Sequence, residues 1–189
     1  MEMAMTPSTV TDIDAEPSHG DLRDAAAASA ECAALLSCLR EQREHVLGAL
    51  EGLPEQALRE PSLPSGWTCA GLVQHLALDV ERFWFRQVMT GEQVEPDEFG
   101  DNGWQVRPEV SAGAVLDLYR REIELADNII TATSLEAPPA WWPDFFAPGF
   151  HLDALRHVLL HVIAETACHA GHLDAARELI DGSQWLVLA

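Results

Sequence analysis

"LLHVIAETACHAGHLDAARELIDG", residues 159–182, reads as one amphipathic helix that nevertheless places a glutamate and two histidines between positions 165 and 172. At 3.6 residues per turn, Leu155, Val158, Val162, Leu173, Ala176 and Ile180 share one arc, which must face a core. Glu165 and His169 are four apart, so they stack on one side of the helix and fall inside that arc. His161 and His172 sit at its edge, and His157 lies further round toward water. Burying a carboxylate without a partner is costly. A metal ion offsets the cost, because this pair can offer one carboxylate oxygen and one imidazole nitrogen to a common ion.

Working outward, the chain predicts three more helices. "DLRDAAAASAECAALLSCLREQREHVLGAL" spans about Asp21 to Leu50 and is stopped by Gly52 and Pro54. The second runs from about Cys69 to Thr90, with Ser65 or Thr68 as cap and Gly91 as stop. Ser111 opens the third, to about Thr133, and Asp153 is the expected cap of the fourth. Four long helices without strands or repeats predict an all-α, four-helix bundle. Its inter-helix loops are long, among them "REPSLPSGWT" and the aromatic, proline-rich "LEAPPAWWPDFFAPGFH". Residues 1–20 are polar and aperiodic and predict a disordered leader, leaving 21–189 as one domain.

Composition narrows the function. A chain of 189 residues with 48% apolar residues suits a single globular core. Its 31 acidic residues against 11 Lys and Arg give a net charge of −20, which repels phosphate backbones and anionic membranes. No secretory signal and no membrane-length apolar run is visible. The four cysteines form no CxxC pattern, so the expectation is a cytoplasmic protein with reduced thiols. Cys168 reads as a small core residue and Glu41–His45 as a solvated intrahelical pair.

A third ligand must come from another helix. His75, in "GLVQHLALDVERFWF", has apolar neighbours and reads as inward-facing, although that helix is apolar nearly all round. A His₂Glu set is a common catalytic arrangement for Zn²⁺, and Ni²⁺, Mn²⁺ or Fe²⁺ suit the same donors. Spacing alone leaves a metal site and an ordinary core histidine beside a paired glutamate equally open.

The final stretch, with "PSGWTCAGLVQHLA" (64–77) and "ERFWFRQVMTGE" (81–92), resembles the DinB-like superfamily, in particular its mycothiol-dependent and actinobacterial branch. The resemblance covers nearly the whole chain after residue 20. It implies a bundle holding a divalent metal, zinc foremost, on His75, Glu165 and His169. It implies no nucleic-acid partner. His172 takes the place of a non-ligand position, so His161 and His172 are expected beside the ligands rather than on the metal. The implied reaction is metal-dependent transfer of a low-molecular-weight thiol, mycothiol first, to an electrophilic small molecule, or isomerisation through a thiol adduct.

For the substrate, Arg82 and Arg86 are candidate carboxylate clamps, and Trp141 and Trp142, with Phe145, Phe146 and Phe150, are a candidate aromatic wall. Surface ion pairs and plain capping of the bundle end are the competing readings. Rival functions are a metal-hydroxide hydrolase of a small amide or ester and a non-catalytic metal- or ligand-binding protein. A ferritin-type di-metal centre needs Glu-x-x-His on two helices plus two further glutamates; here the spacing is Glu-x-x-x-His with no second set, so that reading is set aside. A homodimer through an apolar helix face is compatible with the pattern.

Overall fold

In the computed structural model, which describes residues 19–95, 97–100 and 102–185, the chain is an all-helical bundle. Its elements are α1 (His19–Ala49), α2 (Glu55–Arg59), α3 (Cys69–His75), a π-helical continuation of α3 (Leu76–Met89), α4 (Ala112–Ala132) and α5 (Leu155–Asp181). No strand occurs among the described residues. Most of the expected leader, residues 1–18, lies outside them.

The caps explain most of the boundaries. Thr68 accepts a hydrogen bond from the Gly71 amide (3.0 Å) and starts α3, and Ser111 accepts from Ala114 (3.1 Å) and starts α4. Gly182, at φ 75°, ends α5 in the left-handed conformation. Asp153 does not cap α5, which begins from Ala154 without a side-chain cap. The Asp153 carboxylate faces His151 instead, at 3.7 Å. The short α2 was not expected from its sequence, since five residues carry too little periodicity to stand out.

The bundle pairs α1 with α5 and α4 with the π-helical segment, and α3 touches both halves. Leu39 and Val46 of α1, Leu72 and Val73 of α3, Val115 and Ile130 of α4, and Leu155, Val158, Val162 and Leu173 of α5 fill the centre. Burying each such side chain contributes roughly 1.5–3 kcal/mol.

Between α1, the π-helical segment and α4 runs an ionic seam. Arg43 donates to both oxygens of Glu81 (2.7 and 2.6 Å) and to Asp127 (2.7 Å), with Arg43 and Glu81 almost wholly buried. Burial pushes the Glu81 carboxyl up, and the Arg43 guanidinium works against that shift.

Candidate metal centre

The site lies where α3 passes into its π-helical continuation and faces the middle of α5. His75, the last residue of α3, has its ring centroid 5.1 Å from that of His169, edge to face. Glu165 stands one turn before His169, its nearer oxygen 3.7 Å from His169 Nε2. One ligand-type atom from each of His75, Glu165 and His169 lies within 4.8 Å of the other two. Ligands about 2.0–2.2 Å from one ion lie about 3–4 Å apart, so this trio needs only a small inward adjustment to share one. Two nitrogens and a carboxylate oxygen are also a donor set that divalent transition ions accept.

Burial around the trio is graded. His169 is 9% exposed, whereas the Glu165 side chain is 41% exposed. Glu165 is therefore at the mouth of the site, not deep in the core as the helical wheel placed it, and a bound ion would be open to solvent on that side. Burial, followed by the nearby His75, lowers the His169 pKa and favours its neutral ring, the form that ligates metal.

The second layer of contacts contains residues that spacing did not single out. His75 Nδ1 lies 2.8 Å from Asp79 Oδ2. A carboxylate only accepts, so Nδ1–H donates and Nε2 is left for an ion. Trp104 lies flat on the His75 ring, with centroids 4.2 Å apart and planes at 19°. Its loop sits tight against α3. A Cβ on Gly71 would fall 2.6 Å from the Trp104 carbonyl oxygen, and one on Gly103 would fall 2.0 Å from Asp79 Oδ2. The Gln74 amide donates to the carbonyls of Asn102 (3.0 Å) and Gln105 (3.4 Å).

The other expected residues divide. His172 Nδ1 is 3.4 Å from His169 Nδ1, beside the trio and exposed. His161 stands one turn before Glu165 on the same side of α5, its ring edge-on to Trp84 at 4.8 Å; burial lowers its pKa, and the Glu165 carboxylate opposes that shift.

Arg82 and Arg86 are each engaged by carboxylates of the chain itself. Arg82 pairs with Glu122 and Asp97, both at 2.9 Å, and Arg86 with Glu122 (2.9 Å) and Glu92 (2.5 Å). Their donors serve the bundle's own carboxylates. Trp142 packs behind the aromatic wall on Trp84, Phe146 and Phe150, and exposed Trp141 meets the edge of Phe83.

All four cysteines are free thiols. Cys168 is exposed, contrary to its reading as a core residue; one position before His169, it is turned about 100° round α5 from it. Cys69 is the buried one, its thiol pushed up to about 11 by burial. His45 binds Asp174 of α5 (2.9 Å) and stacks on Trp185, so it is not the partner of Glu41.

A family model described as mycothiol-S-transferase matches residues 34–182. The chain belongs to the mycothiol-S-transferase family. No curated protein and no solved structure matches it. The matched span of this mycothiol-S-transferase family member contains the three candidate ligands, Asp79, Trp104 and the whole aromatic loop. None of its described helices is long and apolar enough to cross a membrane.

Proposed function

We propose that this chain transfers mycothiol to an electrophilic small molecule and that the reaction depends on a divalent ion, zinc foremost, held by His75, Glu165 and His169. The observation that carries the reading is the convergence of those three side chains from two helices at a solvent-open mouth, within a family named for thiol transfer. When bound, such an ion lowers the pKa of a thiol so that the nucleophilic thiolate is present at neutral pH.

The protein's own residues do the rest. Asp79 fixes the tautomer and angle of the His75 ring, and Trp104 covers one face of that ring and holds it still. Glu165, exposed at the mouth, leaves room on its side for the thiol to enter. His172 stands within reach of His169 and can steady its ring from the far side.

The test uses protein loaded with Co²⁺ and titrated with mycothiol. The reading expects a new near-ultraviolet thiolate-to-cobalt absorption that saturates at one equivalent. It is wrong if mycothiol leaves the cobalt spectrum unchanged, and thiol-independent cleavage of an amide or ester would then favour a hydrolase.

A further inference from the structure

Asp79 has a second face. Its carboxylate, 2.8 Å from His75 Nδ1, also lines a groove and so links that groove to the trio. The groove has two lobes of about 310 and 320 Å³, which share Asp79, Phe83 and Phe145. Trp84 and Phe146 complete the first lobe, stacked on each other with centroids 5.6 Å apart and planes at 8°. Phe83 meets Phe146 edge-on, at 6.1 Å and 76°. Phe145, which also packs on Phe83 at 6.1 Å, leaves 73% of its surface to solvent. An apolar side chain that exposed, at the mouth of an aromatic slot, offers a ring face with nothing yet stacked on it.

The charge on these walls is one-sided. Asp79 and Glu95 contribute carboxylates, and the overall charge of −20 adds to the same field. Among the described residues, the one cation on the wall is Arg82, already paired with Glu122 and Asp97. An anionic ligand would meet unmatched negative charge there, whereas a neutral ring would meet only aromatic faces and edges.

Resting on the transferase reading above, we infer that this groove is the electrophile site and that it takes an uncharged, planar aromatic electrophile and excludes anionic ones. An activated aryl halide illustrates the step. The thiolate sulfur attacks the ring carbon that bears the halogen, the C–S bond forms, and the carbon–halogen bond breaks. The halide leaves for solvent with the bonding pair, and the thiol's own proton passes to water.

The experiment separates binding from reaction. Equilibrium dialysis measures uptake of unreactive 2,4-dinitroaniline and of the 3,5-dinitrobenzoate anion by the wild type and by Phe145→Ala. Because Phe145 is largely exposed, its truncation leaves the core intact. The expected result is binding of the neutral probe, about tenfold weaker in Phe145→Ala, with little binding of the anion. In the reaction arm, 1-chloro-2,4-dinitrobenzene is conjugated to mycothiol much faster than 4-chloro-3,5-dinitrobenzoate. Equal binding of the two probes, or no effect of Phe145→Ala, overturns the inference.

Metal content and the response to mycothiol are measured on the same samples. Loss of those two with neutral-probe binding intact overturns the transferase reading, and with it the groove's role as an electrophile site. Their persistence without probe selectivity overturns the groove assignment alone.

Discussion

Asp79 is the residue on which spacing said least and geometry says most. Its hydrogen bond to His75 Nδ1 (2.8 Å) is of the kind that tunes a ligand, so Asp79→Asn should lower metal affinity about 10–100-fold with the fold intact. Competition against a chelator measures this, and unchanged affinity would show that Asp79 does not orient His75. Glu165 and His169 were legible in the sequence as a pair because a four-residue step on a helix fixes a shared face, whereas His75 rested on its apolar neighbours and on the family resemblance. Asp79, Phe83 and Trp84 were not legible, because their helix is apolar nearly all round and gives the eye no face to choose. For Arg82 and Arg86 the sequence left a carboxylate clamp and local ion pairing side by side, and the partner that engages both, Glu122, comes from a different helix and so could not be read from spacing.

The seam offers a second test at this scale. Arg43→Met leaves Glu81 buried without its counterion and should destabilise the protein by about 3–5 kcal/mol. Replacing both as Arg43→Met with Glu81→Leu should recover most of that loss in denaturant titration. A double variant as unstable as the single one would show that the orphaned Glu81 charge is not the source of the loss.

Among the elements, the π-helical segment matters most. Each of its turns takes up more residues than an α turn. Trp84, nine residues after His75, therefore returns to the side facing α5, where it meets His161. An α-helical wheel drawn through this stretch assigns the wrong faces. Caps, by contrast, were readable wherever a hydroxyl preceded a periodic run, as at Thr68 and Ser111. Asp153 failed because the helix starts two residues later and its carboxylate turns to His151.

The loop that carries Trp104 depends on close approach rather than on any motif. Gly71→Ala should push the Trp104 backbone outward, since the added methyl would sit 2.6 Å from its carbonyl oxygen. Faster amide exchange over residues 102–106 is the expected readout, together with a shift in tryptophan fluorescence. Exchange that matches the wild type would mean the loop is not seated on α3.

For the whole molecule, a bundle of this kind is stable through its core and its ionic seam, and a metal adds to that only by mass action. At an ion concentration 100 times Kd the gain is about 2.7 kcal/mol. For a chain of this size that corresponds to a rise in Tm of roughly 5–10 °C. Calorimetry with and without Zn²⁺ should find the rise in the wild type and lose it in Glu165→Ala. The acidic surface that argued against nucleic acid in the sequence also sets the character of the groove, which no short motif could have revealed, since its walls come from Asp79, Phe83 and Trp84 on one element and Phe145 and Phe146 on a distant loop.

The central claim is that His75, Glu165 and His169 hold one divalent ion. Elemental analysis of protein purified without chelators or a histidine tag tests it directly, with His75→Ala, Glu165→Ala and His169→Ala prepared in parallel. The account predicts close to one ion per chain in the wild type and little in any of the three folded variants. A wild type that stays metal-free after incubation with Zn²⁺, Ni²⁺ or Mn²⁺, or variants that keep the ion, would contradict it.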